Sequence, residues 1–173
     1  MRNLGNEVLN DLCKIEFKEL KELNLMCNSL YHVCGLENAK LEKLEILNLS
    51  GNALSDINIL EKVNFKELKE LGLHCNNISD IKVLEKVKFD KLEILNLGNN
   101  QITDINILEK VNFKELKSLY LGGNNISDIK VLENVKFDKL EKLYLSGNHI
   151  SISKKENESI ISKMKTKIKE FKI

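Results

Sequence analysis

One pattern, L-x-x-L-x-L-x-x-N, recurs in perfect 24-residue register along this chain of 173 residues, and it constrains the fold more tightly than any other feature. It starts at Leu20, Leu44, Leu68, Leu92, Leu116 and Leu140. The asparagines fall at Asn28, Asn52, Asn76, Asn100, Asn124 and Asn148, and two residues past each stands Leu30, Leu54, Ile78, Ile102, Ile126 or Ile150. The leucines alternate with period two, which reads as a short strand with one face turned inward. The asparagine marks the bend after the strand, where its amide can satisfy turn backbone groups repeat after repeat. A Ser-Asp step then offers a capping residue for a short helical turn. In one unit Ile57, Ile59, Leu60, Val63 and Phe65 follow and are expected to pack behind the strand. A single unit cannot bury these side chains, whereas a stack can.

The expected architecture is therefore an α/β solenoid. It is a right-handed stack with a parallel β-sheet on its concave face and short helical or 3₁₀ segments on its convex face. Residues 20–152 form the solenoid, with six strands. Residues 1–19 read as an N-terminal half-unit cap, because Leu9, Leu12, Ile15 and Phe17 align with Ile57, Leu60, Val63 and Phe65. The first full unit is degenerate, with Ala39 and Leu41 where Val63 and Phe65 sit later. Residues 153–173 read as a C-terminal capping segment. Ile160, Ile161, Met164, Ile168 and Phe171 recur at helical spacing there, which predicts an amphipathic helix over 155–172 laid on the last repeat.

Over roughly residues 9–152 the sequence resembles the leucine-rich-repeat family. The segment after each asparagine, as in N-N-I-S-D-I-K-V-L-E-K-V, is similar to the repeats of bacterial internalins and of the phosphatase-1 regulatory subunit class. Those families use 22-residue units; this chain uses 24 and adds a phenylalanine step in V-x-F-x-x-L. The resemblance implies a non-catalytic module that scaffolds or regulates other proteins, or, on the internalin side, a secreted or surface adhesion and effector module.

Composition narrows the function classes. With 27 basic and 26 acidic side chains the net charge is +1, so no global field draws the chain to nucleic acid or an anionic membrane. Tryptophan and proline are absent and aromatics reach 5%, which predicts an aliphatic core. The N-terminal MRNLGNEVLNDLCKIEF has no apolar run of signal-peptide length, and no stretch approaches a membrane span. A cytoplasmic location and a monomer are expected. Cys13, Cys27, Cys34 and Cys75 include no C-x-x-C and are expected to be free thiols at small apolar positions. Residues 154–173 carry seven lysines and three glutamates, read as the solvated face of the cap.

Two columns of charge alternate in sign from unit to unit. Before the first leucine run Glu19, Lys43, Glu67, Lys91, Glu115 and Lys139; after it run Lys21, Glu45, Lys69, Glu93, Lys117 and Glu141. Neighbouring strands lie about 4.8 Å apart, so each charge is expected to meet opposite neighbours and to favour one stacking register. The repeating charge unit is thus a pair of repeats.

That pairing permits an internal comparison. Residues 56–93 and 104–141 are copies of one 38-residue segment that differ at five places: Glu70 against Ser118, Gly72 against Tyr120, His74 against Gly122, Cys75 against Gly123, and Lys86 against Asn134. The first four occupy the positions expected to point out from the concave sheet or to lie at its edge. Exposed convex lysines such as Lys62, Lys66 and Lys82 are matched by Lys110, Lys114 and Lys130. Exposure alone therefore does not explain where the copies diverge. The concave face is expected to be the working surface, with Ile46, Glu70, Gly72, His74, Ile94, Asn96, Ser118, Tyr120, Lys142 and Tyr144 as candidate partner-binding residues. Tyr120 and Tyr144 should be neighbours, because they share one column.

No constellation suggests catalysis, a cofactor or a metal. His32, His74 and His149 fall at different repeat positions, and adjacent His74 and Cys75 should project differently. Asp56, Asp80, Asp104 and Asp128 stack at 24-residue spacing, but their place at a helical start favours capping over calcium. Gly122-Gly123 lacks the lysine and helix of a phosphate loop. The expected function is protein–protein interaction through the concave face, as scaffold or regulator, without catalysis, nucleic acid or membrane.

Overall fold

The computed structural model describes residues 5–153 and 155–173, without the side chains of Val8, Asn10 and Leu12. The expectation for Leu12 lies outside the described residues. Six strands follow the 24-residue register: β1 (Glu22–Asn24), β2 (Ile46–Asn48), β3 (Glu70–Gly72), β4 (Ile94–Asn96), β5 (Ser118–Tyr120) and β6 (Lys142–Tyr144). They form one parallel sheet in chain order, and each pairs with the residue 24 positions on, as Leu47 with Leu71. Between strands the chain returns through 3₁₀ turns at Cys34–Asn38, Asn58–Glu61, Lys82–Glu85, Asn106–Glu109 and Lys130–Glu133. Each of the last four is opened by its aspartate. Asp56 Oδ1 accepts the Asn58 N–H at 2.7 Å, and Asp80, Asp104 and Asp128 make the same bond.

The core is one continuous cluster in which the repeat leucines are buried, apart from Leu20 and Leu23 of the first unit, which are only partly covered. It is not purely aliphatic. Phe65, Phe89, Phe113 and Phe137 occupy one position in successive units, each at most 2% exposed. The two extra residues per unit thus deliver an aromatic column to the interior.

The asparagines form the expected ladder. Asn100 Nδ2 donates to the Leu73 and Leu97 carbonyls, both at 3.0 Å, while its Oδ1 accepts the Ile78 N–H at 3.0 Å. Asn76 and Asn124 repeat this set one unit either side. Each amide ties its own turn to the preceding unit, so a polar group that would be costly to bury becomes a cross-link between repeats.

The ends depart from expectation. At the N-terminus Gly5–Leu12 forms an α-helix, α1, rather than a 3₁₀ turn. Leu9 is buried there, but Ile15 is 52% exposed, unlike its counterpart Val63. At the C-terminus the helix α2 spans Lys155–Lys167 and stops before residue 172; Glu170–Lys172 forms a seventh strand, β7, parallel to β6. Ile160, Ile161 and Met164 are buried on α2 as the spacing predicts. Phe171 instead takes a leucine position, opposite Leu143. Lys169 extends the charge column by pairing with Glu141 at 2.6 Å. A strand there satisfies the β6 edge, which a longer helix would leave bare.

Candidate partner-binding face

Alternation along each strand sorts the candidate residues. Leu71 and Leu73 are buried while Glu70, Gly72 and His74 between and beside them are not, so these three lie on the open face of the sheet. The same holds for Ile46, Ile94, Asn96, Tyr120, Lys142 and Tyr144. Ser118 differs: it is on that face but only 7% exposed. Its register neighbours are Ile94 and Lys142, whose longer side chains cover a hydroxymethyl between them. Four of the five positions at which the two copies diverge are thus side by side on the open face or at its rim.

Tyr120 and Tyr144 meet edge to face, with ring centroids 4.9 Å apart and planes at 90°. Beside them is an open depression of about 480 Å³, walled by His74, Asn96 and the tyrosines and floored by Gly98 and Gly122. Asn96 is partly committed, since its Oδ1 accepts the Gly98 N–H at 3.1 Å. Tyr144 is anchored by residues that the repeat did not reveal. Its hydroxyl donates to Glu170, and Lys172 Nζ sits 4.3 Å from its ring centroid. Both partners belong to β7, 28 residues beyond their β6 counterparts instead of 24.

The rim column has one backbone conformation. Cys27, Cys75 and Asn99 have φ of 57°, 54° and 50°, and Gly51, Gly123 and Gly147 have 67°, 69° and 75°. This left-handed turn lifts the chain off the sheet after each strand and favours glycine. At Gly123 an added Cβ would also collide with Asn99 Oδ1 from the preceding unit. Gly123→Ala is therefore expected to lower stability by about 1–2 kcal/mol, a fall in Tm of roughly 3–6 °C. Adding Asn99→Gly should recover part of that loss. Thermal melts of the native chain and the two variants check both effects.

Three of the four thiols do not occupy the small apolar positions expected of them. Cys13 is buried, which pushes its thiol pKa up, but Cys27, Cys34 and Cys75 are exposed. Cys75 Sγ accepts from Asn99 Nδ2 at 3.7 Å. Cys34 Sγ lies 2.8 Å from His32 Nδ1, a contact that a spacing of two residues in a turn does not signal.

The charge columns pair mostly two by two, where opposite neighbours on both sides are expected; Glu45 takes a lysine from each side. Lys43–Glu19, Lys91–Glu67 and Lys139–Glu115 lie at 2.6, 2.5 and 2.6 Å, and Lys69–Glu45 and Lys117–Glu93 at 2.6 and 2.7 Å. The lysines hold the Glu45, Glu115 and Glu141 carboxyls below the usual carboxylate range. Their contribution is present above the unfolded carboxylate pKa and is lost as pH falls through the lowered folded value. All are solvent-exposed, so this is a matter of register more than of stability.

A family profile described as Leucine Rich repeats (2 copies) matches residues 42–86, 66–110 and 114–157, well over half the chain. No curated protein matches the chain in sequence. Among solved structures it is similar to an internalin, inlF, of Listeria monocytogenes at 26% identity and a TM-score of 0.65, covering 92% of this chain and 52% of that one. It is also similar to internalin C2 of the same organism, at 26% identity and a TM-score of 0.54, over 88% and 73% of the two chains. A third is the ectodomain of the receptor kinase GASSHO1/SCHENGEN3 from Arabidopsis thaliana, solved in complex with CASPARIAN STRIP INTEGRITY FACTOR 2. There the identity is 27% and the TM-score 0.61, over 83% of this chain and 17% of that one. The chain thus spans about half of the first internalin and about a sixth of the receptor ectodomain.

Proposed function

We propose, from the premise that this chain belongs to the leucine-rich-repeat family, that it binds a protein partner on its concave face and acts as a scaffold or regulator without catalysis of its own. The observation that carries this reading is the comparison of the two internal copies. Four of their five differences fall on adjacent positions of the open face and rim, on a scaffold otherwise unchanged. A repeat stack holds such positions on a rigid grid, so changing them alters recognition without altering the fold. The tyrosine pair over a glycine floor supports the same reading, because a rigid aromatic edge beside a depression is a common interface anchor. Three exposed, unpaired cysteines support a reducing, cytoplasmic setting.

Affinity capture from a lysate of the source organism tests the proposal. Tyr120→Ala removes a half-buried ring on the open face whose loss should cost the fold little, about 1 kcal/mol. A partner held by the native chain should bind the Tyr120→Ala variant at least about 10-fold more weakly, and a convex-face Lys66→Ala control unchanged. Equal retention by both variants would move the site off the concave face.

A second reading, a secreted or surface adhesion module, is favoured by the likeness to two internalins. Fractionation of the source cells with an antibody to this chain separates the two readings.

A further inference from the structure

Among the described residues, β1 is paired on one side only, by β2. In the later strands the outward groups are taken by the strand before: Glu45 and Ile46 N–H donate to the Lys21 carbonyl at 2.8 and 2.9 Å, and the Asn48 carbonyl accepts from Leu25 N–H at 2.8 Å. The equivalent groups of β1, the Lys21 and Glu22 N–H and the Asn24 carbonyl, face away from β2. Beneath this edge lies an apolar cleft of about 210 Å³ lined by Leu9, Cys13, Phe17, Leu20, Leu23 and Leu41. An edge with unpaired backbone groups above an apolar cleft is a template for strand addition.

The other end of the stack shows how such an edge is closed. There β7 lies parallel on β6, sets Phe171 opposite Leu143, and brings Lys169 to 2.6 Å from Glu141. Charge then specifies what fits β1. Glu45 holds lysines from both neighbouring strands, Lys21 at 3.1 Å and Lys69 at 2.6 Å, so one ladder carboxylate serves two sides. One further step of the alternation places a lysine beside Glu19, an acid beside Lys21, and apolar side chains beside Leu20 and Leu23. The free β7 edge of a second folded copy does not offer that pattern, since the copy's own Lys-Leu-Glu-x-Leu segments are already paired inside its sheet. Its β7 edge, in the same parallel register, would set Lys169 beside Lys21 and Glu170 beside Glu22, like against like.

We propose that the β1 edge accepts an extended segment of a partner protein as an added parallel strand, and that it selects the pattern Lys-Leu-Glu-x-Leu. This site is separate from the concave face and does not depend on that reading.

The test uses fluorescence anisotropy with the full chain and a labelled peptide, LEKLEILNLS, whose sequence is that of residues 41–50. A charge-exchanged peptide, LEELKILNLS, is the control. The first should bind saturably and the second at least about fivefold more weakly. On a Glu19→Lys/Lys21→Glu variant the preference should reverse. Glu22→Pro removes an outward N–H, a change that an edge strand tolerates, and should abolish uptake of both peptides while the melt stays cooperative. Hydrogen exchange at the Lys21 and Glu22 amides should slow with peptide bound, and Tyr120→Ala should leave the affinity unchanged. Equal affinity for both peptides, an unreversed preference, or binding that survives Glu22→Pro would overturn the proposal. So would a dimer in sedimentation that Glu22→Pro dissolves and that takes up no peptide, since the edge would then belong to a second copy.

Discussion

Replacing Phe89 with alanine is expected to destabilise the chain by about 3–5 kcal/mol, because it empties a site filled by one of the largest side chains in the core. The ring is 1% exposed, and the same position holds Phe65 and Phe113 in the adjoining units. A stack is stabilised by each unit's contacts with its neighbours, so a cavity in a central unit weakens two interfaces at once. Urea unfolding followed by circular dichroism measures the loss. Phe17→Ala is the matched control: the ring is only partly buried at the end of the core, so its loss should be less than half as large. Equal losses at the two sites would mean that the column is not the support of the stack. If the central variant also unfolds in two steps, the cavity has uncoupled the two halves.

Asn100→Ala is also expected to be costly, at about 2–3 kcal/mol, for a different reason. The alanine leaves no void of consequence, but it strands the buried Ile78 N–H and takes one of two amide donors from the Leu73 and Leu97 carbonyls, which keep those of Asn76 and Asn124. A buried polar group left without its partner costs about 1–3 kcal/mol; one is stranded outright, and two more each lose one of two hydrogen bonds. Asn148→Ala offers the contrast. Its ladder position is half-buried at the last repeat, where water can replace the lost amide, so about 1–2 kcal/mol is expected. Chemical denaturation of both variants checks the order. A smaller loss at Asn100 than at Asn148 would mean that the amide is not the cross-link between units.

Nearly all that the sequence makes legible shares one property: it repeats. Strand positions, the asparagine ladder, the charge pairs and the Tyr120–Tyr144 contact each join a residue to its equivalent, or a near neighbour of it, in the next unit, and the aspartate caps recur at one place in each of four units. Periodicity alone therefore places them, and the divergence of the two copies marks one face for the same reason. Features outside the period are not legible in this way. The helical spacing of Ile168 and Phe171 with Met164 hides a strand, because a residue's periodicity does not say that β6 has an edge to be satisfied. The backbone bonds that draw residues 170–172 onto β6 exist only once the stack is built.

The sequence by itself determined the solenoid, its register and the face on which its variation gathers, because each of these follows from side-chain period and one fixed offset. The tertiary structure decided the rest. It covered Ser118 with longer neighbours, put Cys27 and Cys75 into a left-handed turn on the rim, tied Tyr144 to Glu170 and Lys172, and, among the described residues, left β1 with one paired side. Those outcomes depend on which atoms crowd or face each other once the units are stacked, and that is a property of the assembled stack rather than of any segment within it.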